Sequence, residues 1–153
     1  MNIEVTNLKS QIAVAIKKEN TSMAEISVVA TEGLQKVFGF LAEQGVEIAD
    51  APYLAYSNSN EDFTQFDVEI GIPVAGEVAV SGEFIMSKTC EGKVITAMHK
   101  GAYKDVDAVY GALMCYMAEN NMESTGIYYD YYISDPADTP ESELLTQVVF
   151  PIK

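Results

Sequence analysis

The stretch Gly126-Ile127-Tyr128-Tyr129-Asp130-Tyr131-Tyr132-Ile133 sets one carboxylate inside a run of tyrosines. A segment this rich in Tyr and Ile predicts an extended strand. Its alternation sends Tyr128, Asp130 and Tyr132 to one face and Tyr129, Tyr131 and Ile133 to the other. Where the first face is enclosed, Asp130 is a partly desolvated anion ringed by aromatic faces, which attracts a flat cation through charge and ring quadrupoles. Where it is open, the same residues make an edge strand with Asp130 in water and the tyrosines as ordinary packing.

Few other residues offer chemistry. Tyr56, Tyr103 and Tyr132 each fit either a pocket wall or the core, because a buried Tyr needs only one hydrogen-bond partner. Tyr110 and Tyr116 are six apart on a helical stretch and need not share a face, so at least one belongs to the core. Glu69 sits on the polar side of its strand, facing pocket or solvent. His99 reads as a strand-end residue satisfied by backbone, and Gly101 lies where the chain must turn towards a helix, a place for positive φ. The acidic run Asp135, Asp138, Glu141 and Glu143 reads as a solvated loop, with Thr139-Pro140 opening a helical turn. Cys90 and Cys115 form no Cys-x-x-Cys pair, and the single histidine has no ligand-like neighbour, so neither a metal nor another cofactor is expected. Cys115, within an apolar helix pattern, reads as core filler. No Ser-His or Cys-His arrangement and no nucleophile elbow is present.

These residues must be positioned by a chain of 153 residues, 48% hydrophobic, which is the size of one domain with a proper core. A formal charge of −14 disfavours sequence-independent binding to nucleic acid or anionic lipid. The N-terminus lacks a secretory pattern and no apolar run reaches the ~18 residues of a membrane span, so a cytoplasmic protein with reduced thiols is expected.

The elements are written twice. Ile12 to Ile16 predicts a strand and Met23 to Gln44 a helix, stopped by Gly45. An extended segment around Tyr53 to Tyr56 and an alternating strand from Phe66 to Val74 follow. The same order then recurs: a strand from Val94 to Met98, a helix from Val106 to Asn121, the tyrosine strand, and Thr146 to Ile152. Tyr56 and Tyr132 are 76 residues apart, as are Leu34 and Tyr110, while Pro73 and Pro151 are 78 apart. The near-constant offset argues for internal repeats of about 1–76 and 77–153, joined by an extra strand from Val78 to Met86 and the turn Cys90 to Lys93. The expected fold is α+β: duplicated β-α-β-β units in a mostly antiparallel sheet, two helices and a central ligand pocket.

Three segments carry a resemblance. His99-Lys100-Gly101-Ala102-Tyr103 with Val106, Tyr110, Leu113 and Tyr116, the stretch Asp67 to Val74, and Asp130, Tyr132, Asp135 and Pro136 together resemble the GyrI-like small-molecule-binding family. That family includes the effector-binding domains of multidrug-responsive transcription activators. The resemblance covers nearly the whole chain. It implies an aromatic pocket with an acidic residue at its base that meets cationic ligands, a role falling on Asp130 with Tyr132 beside it. The family more often has Glu there and Trp near Tyr116, so ligand identity does not carry over.

The expected function is a non-catalytic binding module of 1–153 for a small amphipathic molecule, with Asp130, Tyr132, Tyr56, Tyr103, Glu69, Tyr110 and Tyr116 as ligand-binding candidates. No helix-turn-helix pattern flanks it, so regulation would act through a protein partner or by sequestering the ligand. Two alternatives stand beside it. One is a hydrolase of strained electrophiles using Asp130 or Glu69 as general base with a tyrosine as acid; the other is a protein inhibitor of an enzyme such as DNA gyrase.

Overall fold

The computed structural model describes residues 2–62, 64–134 and 138–153. Its elements run β1 (Ile3–Leu8), β2 (Ile12–Ser22), α1 (Ile26–Gln44), β3 (Tyr53–Ser57), β4 (Gln65–Pro73), β5 (Ile85–Lys88), β6 (Gly92–Lys100), α2 (Asp107–Glu119), β7 (Tyr128–Tyr132) and β8 (Leu145–Pro151). All eight strands form one sheet in the order β1-β6-β8-β7-β3-β4-β2-β5. Every neighbouring pair is antiparallel. Alternation sorts the strands into two faces. On one, Val14, Ile16, Leu54, Phe66, Val68, Ile70 and Ile72 meet Val37 and Leu41 of α1. On the same face Ile95, Val148 and Phe150 meet Val109, Leu113 and Met117 of α2. The opposite face carries Ala13, Tyr53, Ala55, Val94 and Val149. Among the described residues no helix is long and apolar enough to cross a membrane.

The order reads the same from either edge once the halves are exchanged, as the repeat predicts. The pair Tyr53↔Tyr131 becomes Tyr129↔Ala55, and Leu54↔Asp130 maps onto itself. Gly33, Val37 and Leu41 are the buried stripe of α1, and Val109, Leu113 and Met117, each 76 residues on, are that of α2. Both helices are followed by a left-handed residue, Gly45 at φ 65° and Asn121 at φ 54°. Each half is then tied by an isolated bridge, Ile48↔Val74 and Ser124↔Ile152. The leading strands are exchanged: β1 pairs with β6, whereas β5 pairs with β2. Their connections meet where the Thr89 amide donates to Gln11 O at 2.9 Å and the Gln11 amide donates to Thr89 Oγ1 at 2.8 Å.

Several boundaries differ from expectation. β1 was not anticipated, because its six residues lie at a sheet edge and only Ile3 and Val5 mark the alternation. The extra strand is Ile85–Lys88 rather than Val78 to Met86, since Gly82 at φ 65° and the Phe84 amide bonded to Ser81 O make a turn there. α2 is shorter than Val106 to Asn121 and is preceded by a 3₁₀ turn over Tyr103–Asp105. Cys115 is exposed rather than core, because two residues past Leu113 the helix has turned by about 200°. Gly101 does adopt a positive φ of 124°, and His99 Nε2 lies 2.8 Å from Ala102 O, a backbone partner as expected.

Candidate functional site

β7 places its side chains as the alternation requires. Tyr128 and Tyr132 pack on the helix side, and Tyr129 and Tyr131 on the other. Asp130, only 5% exposed, projects to the helix side at the join of the two halves. Each carboxylate oxygen has its own donor: Tyr110 of α2 donates to Oδ1 at 2.6 Å, and Tyr56 of β3 donates to Oδ2 at 3.3 Å. Among the described residues no Lys or Arg pairs with it; the ion pairs are Lys36–Glu83 and Lys100–Glu143, both at the surface. Burial raises the Asp130 carboxyl to about 6, against the lowering effect of the two tyrosine hydroxyls and His99. The Tyr110 and Tyr56 hydroxyls are pushed well above their ordinary range, first by burial and then by the Asp130 charge.

Aromatic rings enclose this carboxyl. Tyr132 meets Tyr103 edge to face at 5.1 Å, and Tyr103 is 37% exposed, so this wall reaches solvent. Tyr56 stands edge-on to Phe66 at 5.1 Å, and Tyr110 edge-on to Phe150 at 5.2 Å. Two hollows of about 380 and 500 Å³ lie elsewhere, one beside Ile12, Val78 and Met86, the other between residues 57–59 and 125–127. Asp130, buried and hydroxyl-bonded at both oxygens, is capped by Tyr56 and Tyr110 rather than open.

Asp130, Tyr56, Tyr110, Tyr132 and Tyr103 therefore come together. The remaining candidates do not join them. Tyr116 packs against the α2 core. Glu69 is on the opposite sheet face, where Tyr53 donates to its Oε2 at 2.7 Å and Ser87 to the same atom at 2.9 Å. The Tyr53 ring lies over Gly71, its cross-strand partner, in space a side chain there would fill. Asp135 and Pro136, part of the resemblance, lie outside the described residues.

One further polar residue, which the sequence does not single out, stands against this cluster. Thr146 on β8 stands beside Tyr132 on the helix side, is 1% exposed, and its Oγ1 has no hydrogen-bond partner among the described residues. The available signal was the repeat itself. Tyr132↔Thr146 corresponds to Tyr56↔Val68 in the first half, so a hydroxyl replaces an apolar group. The same holds for Asp130, whose counterpart is Leu54, and for Tyr110, whose counterpart is Leu34. A near-symmetric frame is broken in favour of polar groups at three neighbouring positions.

Among the described residues no cluster of His, Cys, Asp or Glu is arranged to hold a metal ion. The backbone is similar to that of the EcmrR C-terminal domain, at TM-score 0.84 and 17% identity over 99% of this chain and 97% of that one. In the EcmrR–DNA complex the chain spans only 57% of the length of EcmrR, at TM-score 0.85 and 18% identity over 99% of this chain. SAV2435 bound to tetraphenylphosphonium matches at TM-score 0.70 and 17% identity, over all of this chain and 94% of that one. A hydrolase from Listeria innocua matches at 0.68 and 11%, over 99% and 91%. No functionally curated protein matches the chain by sequence. The model of the GyrI-like small molecule binding domain matches residues 1–153, and the chain belongs to that family.

Proposed function

We propose that the protein binds a small aromatic cation at Asp130, with Tyr56, Tyr110, Tyr132 and Tyr103 as the surrounding rings. The observation that carries this reading is a carboxyl 5% exposed, hydroxyl-bonded at both oxygens and without a cationic partner among the described residues. A buried carboxylate without a counter-charge is costly to hold ionised, and an incoming cation relieves that cost. The tyrosine rings add their negative faces, and their hydroxyls hold the carboxyl in place until the cation arrives. That SAV2435 was solved with tetraphenylphosphonium supports the choice of a delocalised cation as probe. Likeness to the C-terminal domain of EcmrR supports an effector-sensing role, in which ligand occupancy is passed to a protein or nucleic-acid partner outside residues 1–153.

Calorimetric titration of tetraphenylphosphonium into wild type and Asp130→Asn tests this. Removing the charge while keeping the shape costs about 1–3 kcal/mol of binding. Equal affinity of the two proteins sinks the reading.

A second reading is favoured by one observation. A carboxyl raised to about 6 with a tyrosine hydroxyl 2.6 Å away has the proton affinity of a general base or acid near neutral pH. Hydrolysis of a strained electrophile, lost in Asp130→Asn and retained in Glu69→Gln, would establish an enzyme at this site.

A further inference from the structure

Thr146 Oγ1 is a buried hydroxyl without a partner among the described residues, and such groups are uncommon because desolvation without a hydrogen bond is unfavourable. Val68 fills the corresponding place in the first half, fully buried and in the same register against Tyr56 as Thr146 against Tyr132. Valine and threonine have nearly the same shape, so the hydroxyl contributes only its polarity. It lies on the same sheet face as Asp130. Asp130 pairs directly with Val148, and Thr146 is two residues along β8, a diagonal of roughly 7–8 Å. Tyr132 stands directly opposite Thr146 and two residues along β7 from Asp130, on the same face, and itself packs against Tyr103.

We infer that Thr146 is a ligand-contacting residue, and that the natural ligand is a bifunctional amine with a hydrogen-bonding group one diagonal of the sheet away from its cationic nitrogen. The inference rests on the reading of Asp130 as the cation site. The cation meets Asp130, the ring of the ligand lies along Tyr132, and a hydroxyl or carbonyl at its far end supplies the partner Thr146 lacks. Without that group the ligand leaves Thr146 unpaired and loses selectivity, as sites built for a hydroxyl reject analogues that lack one.

Phenethylamine and tyramine differ only by the far hydroxyl and make a matched pair of probes. Calorimetric titration at pH 7.5 compares them on wild type, Thr146→Val, Thr146→Ser and Asp130→Asn, with the apo melting temperature of each. Wild type is expected to prefer tyramine about tenfold. Thr146→Val loses that preference while melting at or above wild type, Thr146→Ser keeps it, and Asp130→Asn weakens both amines alike. Binding of both amines by wild type without discrimination overturns this inference and leaves the Asp130 reading standing. So does a preference that survives in Thr146→Val, or an apo Thr146→Val that melts well below wild type, which would make the hydroxyl structural. Binding of neither amine by a wild type that binds tetraphenylphosphonium overturns this inference alone, and binding of none of the three cations overturns both.

Discussion

Leu54 and Asp130 face each other across the ladder between β3 and β7 and are also each other's counterparts in the two halves. The pseudo-twofold axis therefore passes between an apolar side chain and a carboxyl. A symmetric frame offers one position of this kind at its centre, and divergence of a single residue there is enough to place a lone charge where both halves converge.

The first prediction concerns pH. Burial places the Asp130 carboxyl at about 6 in the folded protein, above its ordinary 3.8. A raised carboxyl pKa means that the native state binds the proton more tightly than the unfolded chain. Its destabilising effect is fully present above pH 6 and fades as pH falls towards 4. Stability measured by denaturant should therefore rise in wild type relative to Asp130→Asn between pH 7.5 and 5, by about 1–1.5 kcal/mol, the rest of the effect following as pH falls on towards 4. Cation affinity should move the opposite way, falling as pH drops below 6.

Removing the donor from α2 should cost more than removing the donor from β3. Tyr110 is 2.6 Å from Oδ1 and Tyr56 is 3.3 Å from Oδ2. Tyr110→Phe is expected to destabilise by about 1–3 kcal/mol at pH 7.5 and to push the Asp130 titration higher still. Tyr56→Phe should do less of both. NMR titration of the Asp130 carboxyl carbon, together with urea unfolding, checks the order.

Gly71→Ala should damage the face that carries no helix while sparing the candidate site. An added Cβ would stand 2.6 Å from the Tyr53 ring, which is fully buried and anchored on Glu69. Displacing that ring should cost about 1–3 kcal/mol of stability. Tetraphenylphosphonium affinity, read on the other face, should stay within a few-fold of wild type.

The two left-handed helix ends offer a paired test. Gly45→Ala forces a Cβ into a left-handed conformation at φ 65° and should destabilise by about 1 kcal/mol. Asn121→Gly, at φ 54°, removes the corresponding strain and should be neutral or stabilising by a few tenths of a kcal/mol. Thermal melts of the two variants check the opposite signs.

What was legible in the sequence was whatever repeats or alternates. The 76-residue spacing of Leu34 and Tyr110 reports the corresponding helix stripes, and Tyr128, Asp130 and Tyr132 point as their parity dictates. Short edge elements escaped because four to six residues carry little periodicity, as at β1 and β5. As carboxylates on alternating strands Glu69 and Asp130 look alike, and only the family resemblance favours Asp130. Separating them took the register that sets Leu54 opposite Asp130 but Ala55 opposite Glu69, because a shift of one residue reverses the face. Thr146 looked like an ordinary strand residue, since an unpaired hydroxyl is a property of its surroundings.

The exchange of β1 and β5 makes the two repeats interlocked. Residues 3–8 find their partners only at 92–97, and β2 finds its outer neighbour at 85–88. During synthesis the opening strand must wait, unpaired, until the whole first repeat and the opening of the second have been made, and this long closure slows folding. A chain severed between the repeats would yield two fragments, each missing a strand that the other carries, so they should recover structure only on mixing. Duplication of this kind cannot be undone by a single cut: what was copied as two modules is maintained as one.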